Sequence, residues 1–184
     1  MVYTGILKSE IEEYLKIKGD FMQIDYLVKL LKENLPLDVR KYVNTKLAEI
    51  YERKSMFAVA AGVYNNLAVH AIAFSEKIRY HLKETELFIR AGAFEKADRA
   101  MRKAMAEANT IEKGDIYFTV KNIYKKISEE YEQQLKRNHA AKIYEKLLGM
   151  RMLDSEKQAI KEKLIRLYEK LGKFREAKRL EEKK

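Results

Sequence analysis

The chain has 184 residues, 47% apolar and 36% charged, with one Pro, seven Gly, no Cys and no Trp. Such a length suffices for one well-packed domain, the apolar content argues against disorder over most of it, and so little Pro and Gly argues against an all-β fold. The absence of Cys removes disulfides, thiolate metal sites and a cysteine nucleophile, and no apolar run approaches the roughly 18 residues that cross a bilayer.

The start, MVYTGILKSEIEEYLK, has no apolar core of signal-peptide length and turns acidic at once. The expectation is a soluble, cytoplasmic protein without a membrane partner. A Lys/Glu-heavy composition lacking Cys and Trp is compatible with a thermophile. The net charge of +10 is uneven: −1 over residues 1–40, +4 over 41–113 and +7 over 114–184. That balance supports attraction to nucleic acid or other anions, although many ordinary soluble proteins share it.

Helix-favouring Ala, Leu, Glu, Lys and Arg dominate. The first candidate unit places Leu15, Gly19, Phe21, Ile24 and Val28 in a helix-turn-helix register, followed by Pro36. The second runs from Leu47 to Ala68 through Tyr51, Phe57, Ala60 and Tyr64. The third, Glu84 to Ala106, is the clearest. Leu87, Phe88 and Ala91 share one helical face, Gly92 supplies a left-handed C-terminal cap, and Phe94, Ala97, Met101 and Ala104 form the face of a second helix. About six extra residues then fall around Asn109 to Tyr117, where Gly114 and Asp115 read as a stop and a helix N-cap, so a longer loop or a lengthened helix is expected. The fourth unit, Ile127 to Leu148, carries Tyr131, Ala140 and Tyr144; the fifth, Leu164 to Leu180, carries Tyr168, Gly172, Phe174 and Ala177. The aromatic precedes a small residue by nine positions in 51/60, 88/97, 131/140 and 168/177. Leu15, Tyr51, Phe88, Tyr131 and Tyr168 lie 36, 37, 43 and 37 residues apart, a period typical of stacked helical hairpins.

On these residues the chain resembles the tetratricopeptide repeat family. The family's first-helix Tyr matches Tyr51, Tyr131 and Tyr168; its turn Gly matches Gly19, Gly92 and Gly172. Its second-helix Ala and aromatic match Ala60, Ala97, Ala140, Ala177, Tyr64 and Tyr144, and its late Pro matches Pro36. The early Trp is replaced by Asn44, His81, Tyr124 or Lys161. The resemblance implies an all-α, right-handed α-solenoid of four to five antiparallel helix-turn-helix repeats. The expected units are roughly 5–40, 41–77, 78–120, 121–157 and 158–184 of a single domain.

Enzymatic signatures are missing. His70, His81 and His139 have no metal-ligand spacing, and no zinc-protease, nucleophile-elbow or phosphate-loop pattern occurs. The expectation is a non-enzymatic protein without cofactor or metal. In the resembled family first helices line a groove that holds a protein or peptide partner. Carried over, that register nominates Glu49, Arg53, Lys83, Glu86, Arg90, Lys126 and Glu129. The competing reading is that Lys46–Glu49–Arg53 and Lys83–Glu86–Arg90 merely pair along their own helices. Two alternatives stand beside the scaffold: a non-specific nucleic-acid binder using Arg99, Arg102, Lys103, Arg175, Lys178 and Arg179 on second helices, and a structural subunit that self-assembles through a solenoid end.

Overall fold

A computed structural model describes residues 8–182, and within them all regular structure is α-helical. The helices are α1 (Lys8–Ile17), α2 (Asp20–Leu30), α3 (Leu37–Arg53), α4 (Phe57–His70), α5 (Phe74–Arg90), α6 (Phe94–Ala106), α7 (Thr110–Gln133), α8 (Arg137–Leu148), α9 (Asp154–Lys170) and α10 (Phe174–Glu182). From α2 onward each packs on its sequence neighbour, and α5 packs additionally on α7.

Four of the five hairpins close by the same chemistry. A helix ends with four carbonyls lacking helical partners, and a left-handed residue just beyond it redirects two amide groups onto them. Ser55, Gly92, Leu135 and Gly172 take that conformation, with φ of 58°, 69°, 58° and 72°. In each case the amide of the following residue returns to the carbonyl of the repeated aromatic: Met56 to Tyr51, Ala93 to Phe88, Lys136 to Tyr131 and Lys173 to Tyr168, at 2.8–2.9 Å. The left-handed residue's own amide bonds to Glu52, Ile89, Glu132 and Glu169 respectively. The aromatic-plus-four position is therefore a turn, whether or not Gly fills it.

The first hairpin is different. Gly19 is extended (φ −71°, ψ 161°) and caps the start of α2, so it does not serve the turn as Gly92 does. The Gln23 amide nitrogen there donates to the carbonyls of Leu15 and Lys18, a side-chain substitute for the missing backbone bonds. Phe21, aligned with Phe57 and Phe94, which are partly buried against the core, is 80% exposed, as Phe174 is at 68%. A second departure lies at α7. Gly114 and Asp115 sit inside that helix and do not stop it. Its N-cap is Asn109, whose Oδ1 accepts from the amides of Ile111 and Glu112 while Glu112 accepts from the Asn109 amide. A reciprocal cap satisfies amides on both sides of the boundary and starts the helix early enough to absorb the extra residues. The lengthened-helix expectation holds, but its start lies upstream of Gly114.

Ala60, Ala97, Ala140 and Ala177 are all buried, joined by Leu87, Ile127, Leu147, Leu164 and the aromatics Phe88, Tyr131 and Tyr168 in a core running from α4 to α10. A smaller core around Ile11, Leu27, Val43 and Ile50 unites α1 to α3 and meets the first through Tyr51 and Tyr64.

Candidate functional site

Of the nominated residues, Lys83, Glu86 and Arg90 of α5 bond to one another, and they reach α3 and α7 through two glutamates outside the nominated set. Lys83 lies 2.9 Å from Glu52 of α3 and 3.2 Å from Glu86 of its own helix. Arg90 donates from Nε to Glu86 at 3.1 Å and from a terminal nitrogen to Glu130 of α7 at 2.7 Å. Glu52, Lys83, Glu86, Arg90 and Glu130 thus form an unbroken alternation of charge across three helices. At the same junction the Tyr131 hydroxyl donates to the Arg90 carbonyl at 2.8 Å. Burial alone would raise the Glu86 carboxyl, but Lys83 and Arg90 outweigh it and hold the group below its ordinary value. Burial would likewise lower Lys83, and its two glutamates more than compensate, leaving it raised. Both shifts favour the charged forms.

The ends of this row are looser. Glu49 is exposed and lies 3.5 Å from Lys46. Arg53 turns away from Glu49 and pairs with Asp20 of α2 at 2.5 Å, so the expected Lys46–Glu49–Arg53 sequence of pairs is broken at its last member. Glu129 pairs with Lys163 of α9 at 2.8 Å. Lys126 is exposed and makes no ion pair or hydrogen bond among the described residues. Two shallow clefts lie on these helices. One, of about 270 Å³, includes Glu12, Lys46, Glu49 and Arg53; the other, of about 340 Å³, lies between α7 and α9 with Glu129, Glu132 and Lys163.

Glu52, Glu130 and Asp20 were missed by sequence reasoning. Glu52 had a signal: it follows the repeated aromatic directly, as Glu132 does, and the Tyr thirteen positions beyond that aromatic donates to it. Tyr64 bonds Glu52 at 2.9 Å and Tyr144 bonds Glu132 at 3.1 Å.

Of the second-helix cations, Arg99, Arg102, Arg175, Lys178 and Arg179 are exposed and carry no ion pair among the described residues. Lys103 differs. It donates to Glu84 at 3.1 Å and to Asn65 at 2.8 Å, where Glu84 also meets His81 Nδ1 at 2.8 Å. Glu84 is 3% exposed, and a buried carboxylate without partners is costly. Lys103 is therefore part of the packing of α5 against α6, not a free basic contact. Lys136 and Lys173 are also occupied, with their ammonium groups over the rings of Tyr131 and Tyr168.

No helix among the described residues is long and apolar enough to cross a membrane. No protein-family model, curated protein or solved structure matches the chain.

Proposed function

We propose that this chain is a tetratricopeptide-like α-solenoid of four to five hairpins that acts as a non-enzymatic scaffold, holding an extended segment of a protein partner along its first helices. The observation that carries the reading is the charge row across α3, α5 and α7, with its cross-helix bonds from Glu52 to Lys83 and from Arg90 to Glu130. A row already bonded to itself is a preorganised surface and loses little side-chain freedom when a partner arrives. Stacked hairpins present such faces as extended binding surfaces. Lys83, Glu86 and Arg90 of the row hold the helices in place, while Glu49, Lys126 and Glu129, exposed on α3 and α7 outside it, are the groups a partner meets.

Selection of ten-residue peptides from a displayed library tests this. Selected peptides should lose at least tenfold in affinity on Lys126→Glu plus Glu129→Lys, and should ignore Arg99→Glu plus Arg102→Glu. Equal binding to both double variants removes the assignment.

The exposed, unpaired Arg99, Arg102, Arg175, Lys178 and Arg179 favour a second reading, non-specific contact with nucleic acid phosphates. Affinity for a mixed-sequence RNA or DNA would then fall steeply between about 50 and 200 mM salt. No binding at the lower salt excludes it.

A further inference from the structure

From Ser55 to Ser75 the chain contains no Asp, Glu, Lys or Arg, in a protein of which 36% is charged. That stretch is α4, its two flanking turns and the first two residues of α5. Half of α4 is accounted for by packing: Ala60, Ala61, Val63, Leu67 and Ala68 are buried against α3 and α5. The other half is not. Ala58, Val59, Gly62, Asn66 and Val69 are exposed, Val59 at 45% and Val69 at 67%. Gly62 lies mid-helix, where Gly is less favourable than Ala. A Cβ built there meets nothing within 4 Å, so the chain's own packing does not require the missing side chain.

This face is continuous with a cleft of about 400 Å³ at the C-terminal end of α4, walled by apolar Leu37, Leu67, Ala71 and Ile72 and by polar Asn44, Asn66 and His70. Beside the recess stand protruding apolar groups, Ile72 at 84% exposure and Phe74 at 65%. The charges around it are already spent. Asp38 pairs with Lys8 at 2.7 Å, Glu76 with Lys41 and Arg79, and Arg40 donates to the carbonyls of Leu31 and Glu33.

We propose that the exposed face of α4, with this cleft, is an interface between two copies of the chain related by a two-fold axis. Such an interface uses one patch on both partners, so the patch must hold both the protrusion and the recess that receives it. Val69, Ile72 and Phe74 are the first, and the cleft is the second. The choice of a second copy also follows from charge. An acidic protein or nucleic acid would gain nothing from a face without free cations, and two molecules of charge +10 repel least where neither carries one. Depletion of charge marks the centre of an interface, and the flat Ala58–Gly62–Asn66 line lets two helices approach closely.

Sedimentation velocity across about 1–500 µM protein, a range that brackets weak self-association, tests the proposal. The wild-type mass should rise from 21.7 kDa toward twice that value. Val59→Glu plus Gly62→Arg should weaken the association at least tenfold while leaving helical circular dichroism intact. Val69→Lys is a second variant on the same face, should the first fold poorly. Lys126→Glu plus Glu129→Lys, on the scaffold face, should associate like the wild type, so the two proposals fail separately. A wild-type monomer throughout the range, or association unaffected by the α4 variants, overturns the interface.

Discussion

Leu135 and Ser55 hold a conformation that L residues adopt at a cost of roughly 1–2 kcal/mol, because the hairpin needs two amides returned to the end of its first helix. Leu135 is 72% exposed, so little burial offsets the strain. Leu135→Gly should raise stability by about 0.5–1 kcal/mol in urea denaturation, the gain being trimmed by the greater freedom of Gly in the unfolded chain. An unchanged or lower midpoint would mean that Leu135 contributes packing the turn depends on. Glu86 responds to acid. It binds its proton less readily in the fold, so its contribution to stability is complete above the ordinary value of 4.5 and is lost as pH falls through the lower folded value. Thermal unfolding of Glu86→Gln should differ most from wild type near neutral pH, the gap narrowing below about pH 4. A constant gap across that range would show that the carboxylate's charge is not what matters.

At the scale of the element, helix starts and stops are set by different devices. The shared left-handed turn ends α3, α5, α7 and α9 through backbone bonds, and these depend only on the local conformation. The start of α7 depends on the Asn109 side chain. Asn109→Ala should cost about 1 kcal/mol, visible as a lower midpoint and as faster amide exchange at residues 110–113. Full protection there would mean that the contacts of α7 with α5 and α8 hold its first turn without the cap. α4 is the element whose sequence its own fold explains least, since an uncharged outer face does nothing for a monomer in water. The proposed two-fold contact supplies the reason for it.

Over the whole molecule, the large core from α4 to α10 and the small one under α1 to α3 meet through few side chains. Ile11 is the buried residue of α1, and its hairpin lacks the turn that the others share. Local opening is easiest where apolar burial is thin. Native-state hydrogen exchange should therefore find α1 least protected and the amides of α5, α7 and α8 most protected. Uniform protection would indicate a single cooperative unit.

Helical class, hairpin positions and the buried Ala and aromatic register were readable in the order of residues, because periodicity and helix termination act over a few positions along the chain. The first hairpin was misread because the Gln23 side chain took over a turn usually signalled by Gly, and the start of α7 because Gly114 and Asp115 imitate a stop and cap that Asn109 and Glu112 actually supply. The tertiary structure alone decided which charges are free. The pairing of Lys83, Glu86 and Arg90 along α5 was readable from their spacing, but the bonds of Lys83 to Glu52, of Arg90 to Glu130 and of Lys103 to the buried Glu84 were not, nor was the exposure of Lys126. An ion pair between helices depends on packing that brings residues distant in sequence within about 4 Å, and no local pattern encodes that distance.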